Sequence, residues 1–248
     1  MSNPPLISVI TVTYNAGKVI DKTLESLKSQ TFQDFEHLVI DGASKDNTLD
    51  LIRTNCLPQT RVISEPDNGL YDAMNKGLDL ARGKYVIFLN AGDAFHSDDT
   101  LKNYAEAADQ DEEIIYGDTV VVDREGKYIG PRHLSVPEKL DKNSFSKGML
   151  ICHQAFMVKR DLAPKYDLSY RFSADYDWCV KCISAGNPSR FKNLRKVTVD
   201  YLSDGLTDKN KIKSLKERFR IMKKHYGLPK TVSRHIQFIL RAIIRGKL

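Results

Sequence analysis

LISVITVTY, residues 6–14, places apolar or β-branched side chains at nearly every position and stops at the turn sequence Asn15-Ala16-Gly17. A short run of this kind, bounded by turn residues, reads as a strand buried on both faces. Working outward, Leu24 and Leu27 mark a helix ending near Gln30, and FEHLVID (35–41) is a second strand. A polar turn at 42–47 leads to a short helix at 48–53. A third strand at 61–65, a helix at 71–81 and a fourth strand, YVIFL (85–89), follow, the last ending at Asn90-Ala91-Gly92-Asp93. This alternation predicts an α/β fold with a mostly parallel, doubly wound sheet. Such sheets bind ligands at the carboxyl ends of their strands.

Polar residues gather at those ends. Thr13 and Asn15 close the first strand, and Asp41, Ser44 and Asp46 follow the second. Glu65, Asp67 and Asn68 follow the third, and Asn90 and Asp93 the fourth. Each alone is an ordinary turn or cap residue, and Ser44 and Asp46 read equally well as caps of the 48–53 helix. Four strand ends finishing this way make a polar rim. Beyond Asp98 the alternation weakens. A helix at 99–108, a strand at 114–116, a hairpin at 119–129, a strand at 149–159, a helix at 173–185 and a last strand at 197–202 are expected.

With 248 residues, 41% of them hydrophobic, the chain has enough apolar side chains for one sizeable core. Its longest apolar runs fall far short of the roughly 18 residues a membrane span requires. The start MSNPPLISV lacks a basic n-region and a cleavage site, so a cytoplasmic setting is expected. Four cysteines, unevenly placed, do not suggest a disulfide framework. Cys179 and Cys182 have C-x-x-C spacing with no second pair, and read as small core residues on one helix. The 38 Lys and Arg outnumber the 32 Asp and Glu, but unevenly. From Lys209 to Leu248 there are 13 basic residues and one acid, Glu217; the rest of the chain holds 25 against 31. An acidic body carries a strongly cationic tail.

The segments ISVITVTYN, VIDGASKDNT and ISEPDNGLYDAMNKGLDLARGKYVIFLNAGD resemble the inverting glycosyltransferases of family 2, which have the GT-A fold. CHQAFMV, FSADYDW and SDGLT extend the resemblance toward residue 207, and the combination looks most like bacterial exopolysaccharide enzymes of the colanic-acid type. The resemblance implies transfer of a sugar from a UDP- or GDP-linked donor to a saccharide, with a polyprenyl-linked acceptor expected. It implies a catalytic domain at 1–207, divided into a nucleotide-sugar half (1–100) and an acceptor half (101–207), followed by a basic helical tail at 208–248.

Under this resemblance Thr13, Asn15, Asp41, Ser44, Asn68, Asp72, Asn75 and Asn90 bind the nucleotide-sugar. Asn90-Ala91-Gly92-Asp93 stands where the family has its Asp-x-Asp motif, so Asp93 is expected to hold Mn2+ or Mg2+ against the diphosphate, with His153 on the metal or acceptor side. Asp175 matches the family's catalytic base and Asp177 is the reserve. One carboxylate suffices for an inverting displacement, because it only removes the acceptor hydroxyl's proton. The Ser203–Thr207 loop is expected to close over the diphosphate.

The tail has Ile212, Leu215, Phe219 and Met222 at helical spacing. Its second helix sets Val232, Ile236, Ile239 and Ile243 against Arg234, Arg241 and Arg245. Cationic amphipathic helices suit an anionic membrane surface. Nucleic acid is not expected, since no stacking platform or DNA-binding pattern accompanies the charge. Other readings are a sugar-nucleotide hydrolase or nucleotidyltransferase, though the glycine-rich basic phosphate loop of the latter is missing, and a non-catalytic membrane or nucleic-acid binding module.

Overall fold

A computed structural model describes residues 4–203 and 211–244. β1 (Ile7–Thr13), β2 (Phe35–Asp41), β3 (Thr60–Ser64) and β4 (Tyr85–Phe88) pair in parallel in the order β3-β2-β1-β4. Every residue of β1 and β2 is buried. That explains their near-continuous apolar sequence, because α1 (Ile20–Lys28), α2 (Thr48–Asn55) and α3 (Leu70–Leu80) are the crossovers between these strands and cover the sheet. Register sets Thr13 opposite Asp41 and Asp41 opposite Ser64, so three strand ends finish level.

The second half extends the same sheet with mixed polarity. A two-residue β5 (Ala94–Phe95) and α4 (Thr100–Ala108) precede β6 (Ile114–Val122), β7 (Tyr128–Pro131), β8 (Phe156–Lys159) and β9 (Phe191–Leu202). β8 runs antiparallel between β4 and β6, while β6 and β9 are parallel. The strand expected at 114–116 and the arm of the hairpin at 119 are one strand, β6, bulged on its β9 side between Tyr116 and Thr119. The strand expected at 149–159 is short, because residues 153–155 form a 3-10 turn before β8.

α5 (Ala174–Ala185) packs its Trp178, Cys179 and Cys182 into the main core, all fully buried, so the C-x-x-C pair is core as expected. Tyr166 stacks on Trp178 at 5.2 Å between ring centroids, and Phe88 meets both rings edge-on. The tail forms α6 (Lys211–Tyr226) and α7 (Leu228–Ile244). The apolar stripe expected on α6 is displaced: Ile221 and Met222 are buried in the same core as Trp178, whereas Ile212 and Leu215 are exposed. On α7, Val232, Ile236, Ile239 and Leu240 are also exposed. Residues 204–207 of the expected closing loop, the 207/208 boundary, Lys209 and Arg245 lie outside the described residues, as do the side chains of Arg241 and Ile243.

Candidate active site

Of the rim predicted at the strand ends, the β1 and β2 ends join Ser64 of β3 in a connected hydrogen-bond network. Asp41, completely buried, accepts from Ser44 N–H at 2.9 Å, Ser44 Oγ at 2.5 Å and Ser64 Oγ at 2.6 Å. Ser44 Oγ in turn accepts from Asn15 N–H at 2.8 Å, and Asn15 Oδ1 accepts from Lys45 N–H at 2.8 Å. Asn15 has φ of 49°, the left-handed conformation that Asn tolerates, and this turns the β1 loop onto the β2 loop. Asp46 accepts from Gly17 N–H and Thr48 N–H, so it ties the same two loops and steadies the start of α2. Its carboxyl lies below the usual carboxylate range, chiefly through the Thr48 hydroxyl. Thr13 Oγ1 is buried beside this network without a hydrogen-bond partner. Tyr14 is 61% exposed on the rim, and a side chain at Gly42 would collide with Asp67 and touch the Tyr14 ring.

The third strand end holds its own loop. Asp72, in the first turn of α3, accepts from Asn68 N–H at 2.9 Å, and Asp67 accepts from Gly69 N–H at 2.8 Å. Gly69 takes φ of 112°, a value that favours glycine, to enter the helix.

A second cluster stands at the end of β4. Asp175, in the first turn of α5, accepts from the Tyr71 hydroxyl at 3.1 Å through Oδ1, while its Oδ2 lies 3.9 Å from His153 Nδ1. His153 lies 6.1 Å, ring centroid to centroid, from Phe88, the last residue of β4. Burial, with Arg132 adding to it, keeps the His153 pKa below its ordinary value despite Asp175, so the ring is neutral near pH 7. Its Nε2 has no hydrogen-bond partner. Burial, then Asp175, pushes the Tyr71 hydroxyl well above its usual pKa, so it stays a donor.

Asp93 turns inward. It is 4% exposed, its Oδ1 accepts from Leu202 N–H at 2.9 Å and its Oδ2 from Gln154 Nε2 at 2.7 Å. Burial raises its pKa to about 7. Gly92 has φ of 99°, and a Cβ there would lie 2.7 Å from the Leu202 side chain. Thr23 pins the turn by accepting from Gly92 N–H and donating to the Asp93 carbonyl.

The family model described as Glycosyl transferase family 2 matches residues 8–166, a span that runs from β1 through His153. The chain belongs to glycosyl transferase family 2. It is 34% identical over 225 residues to a PGL/p-HBAD biosynthesis glycosyltransferase of Mycobacterium bovis, covering 85% of this chain and 84% of that one. It is 27% identical over 209 residues to an uncharacterized glycosyltransferase, MJ1057, of Methanocaldococcus jannaschii, covering 79% and 70%. The S. aureus TarS 1-349 structure superposes with a TM-score of 0.71 over 94% of this chain and 72% of that chain, at 19% identity. The chain is a glycosyltransferase with the GT-A fold.

Within this family 2 frame, three side chains depart from expectation. Asn75 does not face the donor rim: its amide clamps the Tyr166 backbone, accepting from N–H at 2.7 Å and donating to the carbonyl at 3.1 Å. Asp177, the reserve base, is completely buried and faces the tail, bonded to His225 Nε2 at 2.7 Å and Lys181 Nζ at 2.5 Å. Asp93 with His153 does not fit the expected metal centre. The one carboxylate of the Asn90–Asp93 turn is already engaged by Leu202 and Gln154. No cluster of three or more His, Cys, Asp or Glu suited to a metal occurs among the described residues. Gly92 occupies the motif position where a second carboxylate would stand. Asn90 Oδ1 remains a buried, unpartnered acceptor.

Ser64, Tyr14 and Tyr71 escape the sequence reading. Tyr71 looks like core by its spacing, and it is core apart from its hydroxyl. An aromatic placed directly after the first strand end was the available signal for Tyr14.

Proposed function

We propose that this family 2 enzyme transfers a sugar from a UDP- or GDP-linked donor to a lipid-linked saccharide, inverting the anomeric carbon. TarS has been solved with UDP and with UDP-GlcNAc, and the mannosyltransferase PcManGT of Pyrobaculum calidifontis with GDP-Man and Mn2+ at a TM-score of 0.58. In this reading the Asn15, Asp41, Ser44 and Ser64 network and the open ring of Tyr14 receive the nucleoside, with Thr13, Asn68, Asp72 and Asn90 beside it. Residues 1–100 form the donor half, 101–207 the acceptor half and 208–248 the tail.

The observation that carries the chemistry is Asp175, held by Tyr71 next to a neutral His153 at the carboxyl edge of the parallel strands. Asp175 takes the proton of the acceptor hydroxyl. The acceptor oxygen bonds to the anomeric carbon as the bond from that carbon to the diphosphate oxygen breaks, and the nucleoside diphosphate leaves with the electron pair. The family's divalent ion supplies positive charge to the leaving diphosphate when bound. Here the Asn90–Asp93 turn has no free carboxylate for it, because Asp93 is taken up by Leu202 and Gln154. Arg132, held by the Met149 and Leu150 carbonyls, brings a cation close to His153.

Support for a membrane-linked acceptor comes from the tail, where exposed Val232, Ile236, Ile239 and Leu240 share a helix hairpin with a large cationic excess. No helix among the described residues is long and apolar enough to cross a membrane. The proposed setting, resting on the tail's cationic excess, is the cytoplasmic face of an anionic membrane, in surface-polysaccharide assembly. Thermal-shift titration with UDP and GDP, with and without Mn2+, followed by transfer assays of Asp175→Asn, tests the reading. Stabilisation by one nucleotide and loss of transfer in Asp175→Asn are expected; wild-type transfer by that variant overturns the base assignment.

A further inference from the structure

Helix α5 carries the proposed base in its first turn, yet its N-terminus is not capped from within. The Ser173 hydroxyl makes no bond to its own helix. It pairs instead with Ser214 of α6, Oγ to Oγ at 2.9 Å. The two amides just upstream, Arg171 N–H and Phe172 N–H, donate to the two carboxylate oxygens of Glu217, at 2.9 and 2.8 Å. Further along, His225 of α6 bonds the buried Asp177, and Lys224 lies 3.8 Å from it.

Ser214, Glu217, Ile221 and His225 follow one another at spacings of three, four and four residues, so they form one face of α6. Ser214, Glu217 and His225 of this face bond the segment from Arg171 to Asp177, and Ile221 enters the core that holds Ala174 and Tyr176. Ser214 is 3% exposed and Ile221 fully buried, in a helix whose other positions are largely basic and exposed. Glu217 is also the only acid between Lys209 and Leu248. A carboxylate at this place does what Lys or Arg could not: it accepts two N–H groups and sits at the positive end of the α5 dipole.

We infer that α6 is a positioning element of the transfer reaction, in which Glu217 and Ser214 fix the base-bearing turn of α5 against Tyr71. This rests on Asp175 being the base. Glu217 touches no substrate; it acts through the backbone of residues 171–173, and it ties the segment that carries chemistry to the segment that carries the cationic, lipid-facing surface. A displacement of about 1 Å in a reacting group is enough to cost on the order of a hundredfold in rate.

The test uses the full chain with Glu217→Gln, Glu217→Ala and Ser214→Ala, measuring kcat, donor and acceptor KM, nucleotide binding by calorimetry, and melting temperature. Gln keeps one accepting oxygen and Ala none. The expected result is a kcat that falls in the order Glu, Gln, Ala, by at least about tenfold for Ala, with nucleotide affinity unchanged. Ser214→Ala, which preserves the Glu217 contacts, shows a smaller fall in the same parameter. A folded Glu217→Ala enzyme with wild-type kcat overturns the proposal, as does a kcat loss that only parallels lost nucleotide binding and lost thermal stability. Asp175→Asn separates the two levels: wild-type transfer in that variant removes the base assignment itself, whereas an inactive Asp175→Asn beside an unaffected Glu217→Ala removes only the role of α6.

Discussion

The Tyr71 hydroxyl donates to Asp175 Oδ1 at 3.1 Å, joining the first turn of α3 to the first turn of α5 across 104 residues of sequence. One hydrogen bond thus links the helix that follows the third strand end to the helix that carries the proposed base.

Removing that bond isolates its contribution. A net 1.5–3 kcal/mol for a hydrogen bond to a charged group predicts roughly a tenfold to hundredfold fall in kcat for Tyr71→Phe, with donor KM little changed. Steady-state kinetics with donor and acceptor varied separately check this. A wild-type kcat shows that Asp175 needs no such support.

Tyr14 offers a test of the donor side that leaves the fold alone, because the side chain is largely exposed. Stacking of a base on an aromatic ring is worth about 1–3 kcal/mol, so Tyr14→Ala should raise the donor KM roughly fivefold to a hundredfold without moving the melting temperature. Nucleotide calorimetry beside a melting curve decides it.

Asp93 carries a signature in pH. Its folded pKa of about 7 stands above the unfolded value near 3.9, so between those values the native state holds a proton that the unfolded chain has released. Stability contributed at this position therefore falls as pH rises from about 4 to about 7. The stability difference between wild type and Asp93→Asn, measured by urea unfolding across that range, should slope accordingly and level off above pH 7. If Asp93→Asn instead matches wild type in EDTA at every pH and loses only a Mn2+-dependent stabilisation, Asp93 is a metal ligand and not a bracket for Leu202 and Gln154.

Asp177 predicts a stability effect with little direct effect on chemistry. Burial pushes its carboxyl up, but His225, Lys181 and Lys224 together outweigh burial and hold it below the usual range. Its contribution is present above the unfolded pKa and is lost as pH falls through the lower folded one. Asp177→Ala removes the carboxylate that His225 and Lys181 face, and because those side chains keep 17% and 28% exposure the loss is on the order of 1.5–3 kcal/mol, as for a hydrogen bond to a charged group. A large drop in melting temperature and earlier protease cleavage within α6 are expected.

The tail predicts salt-sensitive membrane binding. The full chain should sediment with vesicles containing phosphatidylserine and not with neutral vesicles. Ile236→Ser with Ile239→Ser should weaken binding without lowering kcat on a soluble acceptor, since both side chains are exposed.

Local sequence determined the elements and the rim. β1 and β2 are legible because a strand buried on both faces requires unbroken apolar residues, and Thr13, Asp41 and Asn68 are legible because parallel strands must end at one edge. Asp175, the proposed base, is legible only through the resemblance carried by FSADYDW. Tertiary structure alone decided what each polar group faces. Asp175 and Asp177 are two residues apart on one helix, and the roughly 200° between them sends one to Tyr71 and His153 and the other into the tail. Asn75, three residues after Asp72 and so on the same side of α3, bonds the Tyr166 backbone because that segment packs over it one turn further along the helix. Asp93 stands at a motif position, but whether its oxygens are free depends on Leu202 and Gln154, which lie 109 and 61 residues away in sequence. Charge arithmetic separated a cationic tail from an acidic body. Only packing could assign Glu217, the one acid of residues 209–248, because what it accepts is a pair of backbone N–H groups, and every residue but proline has one.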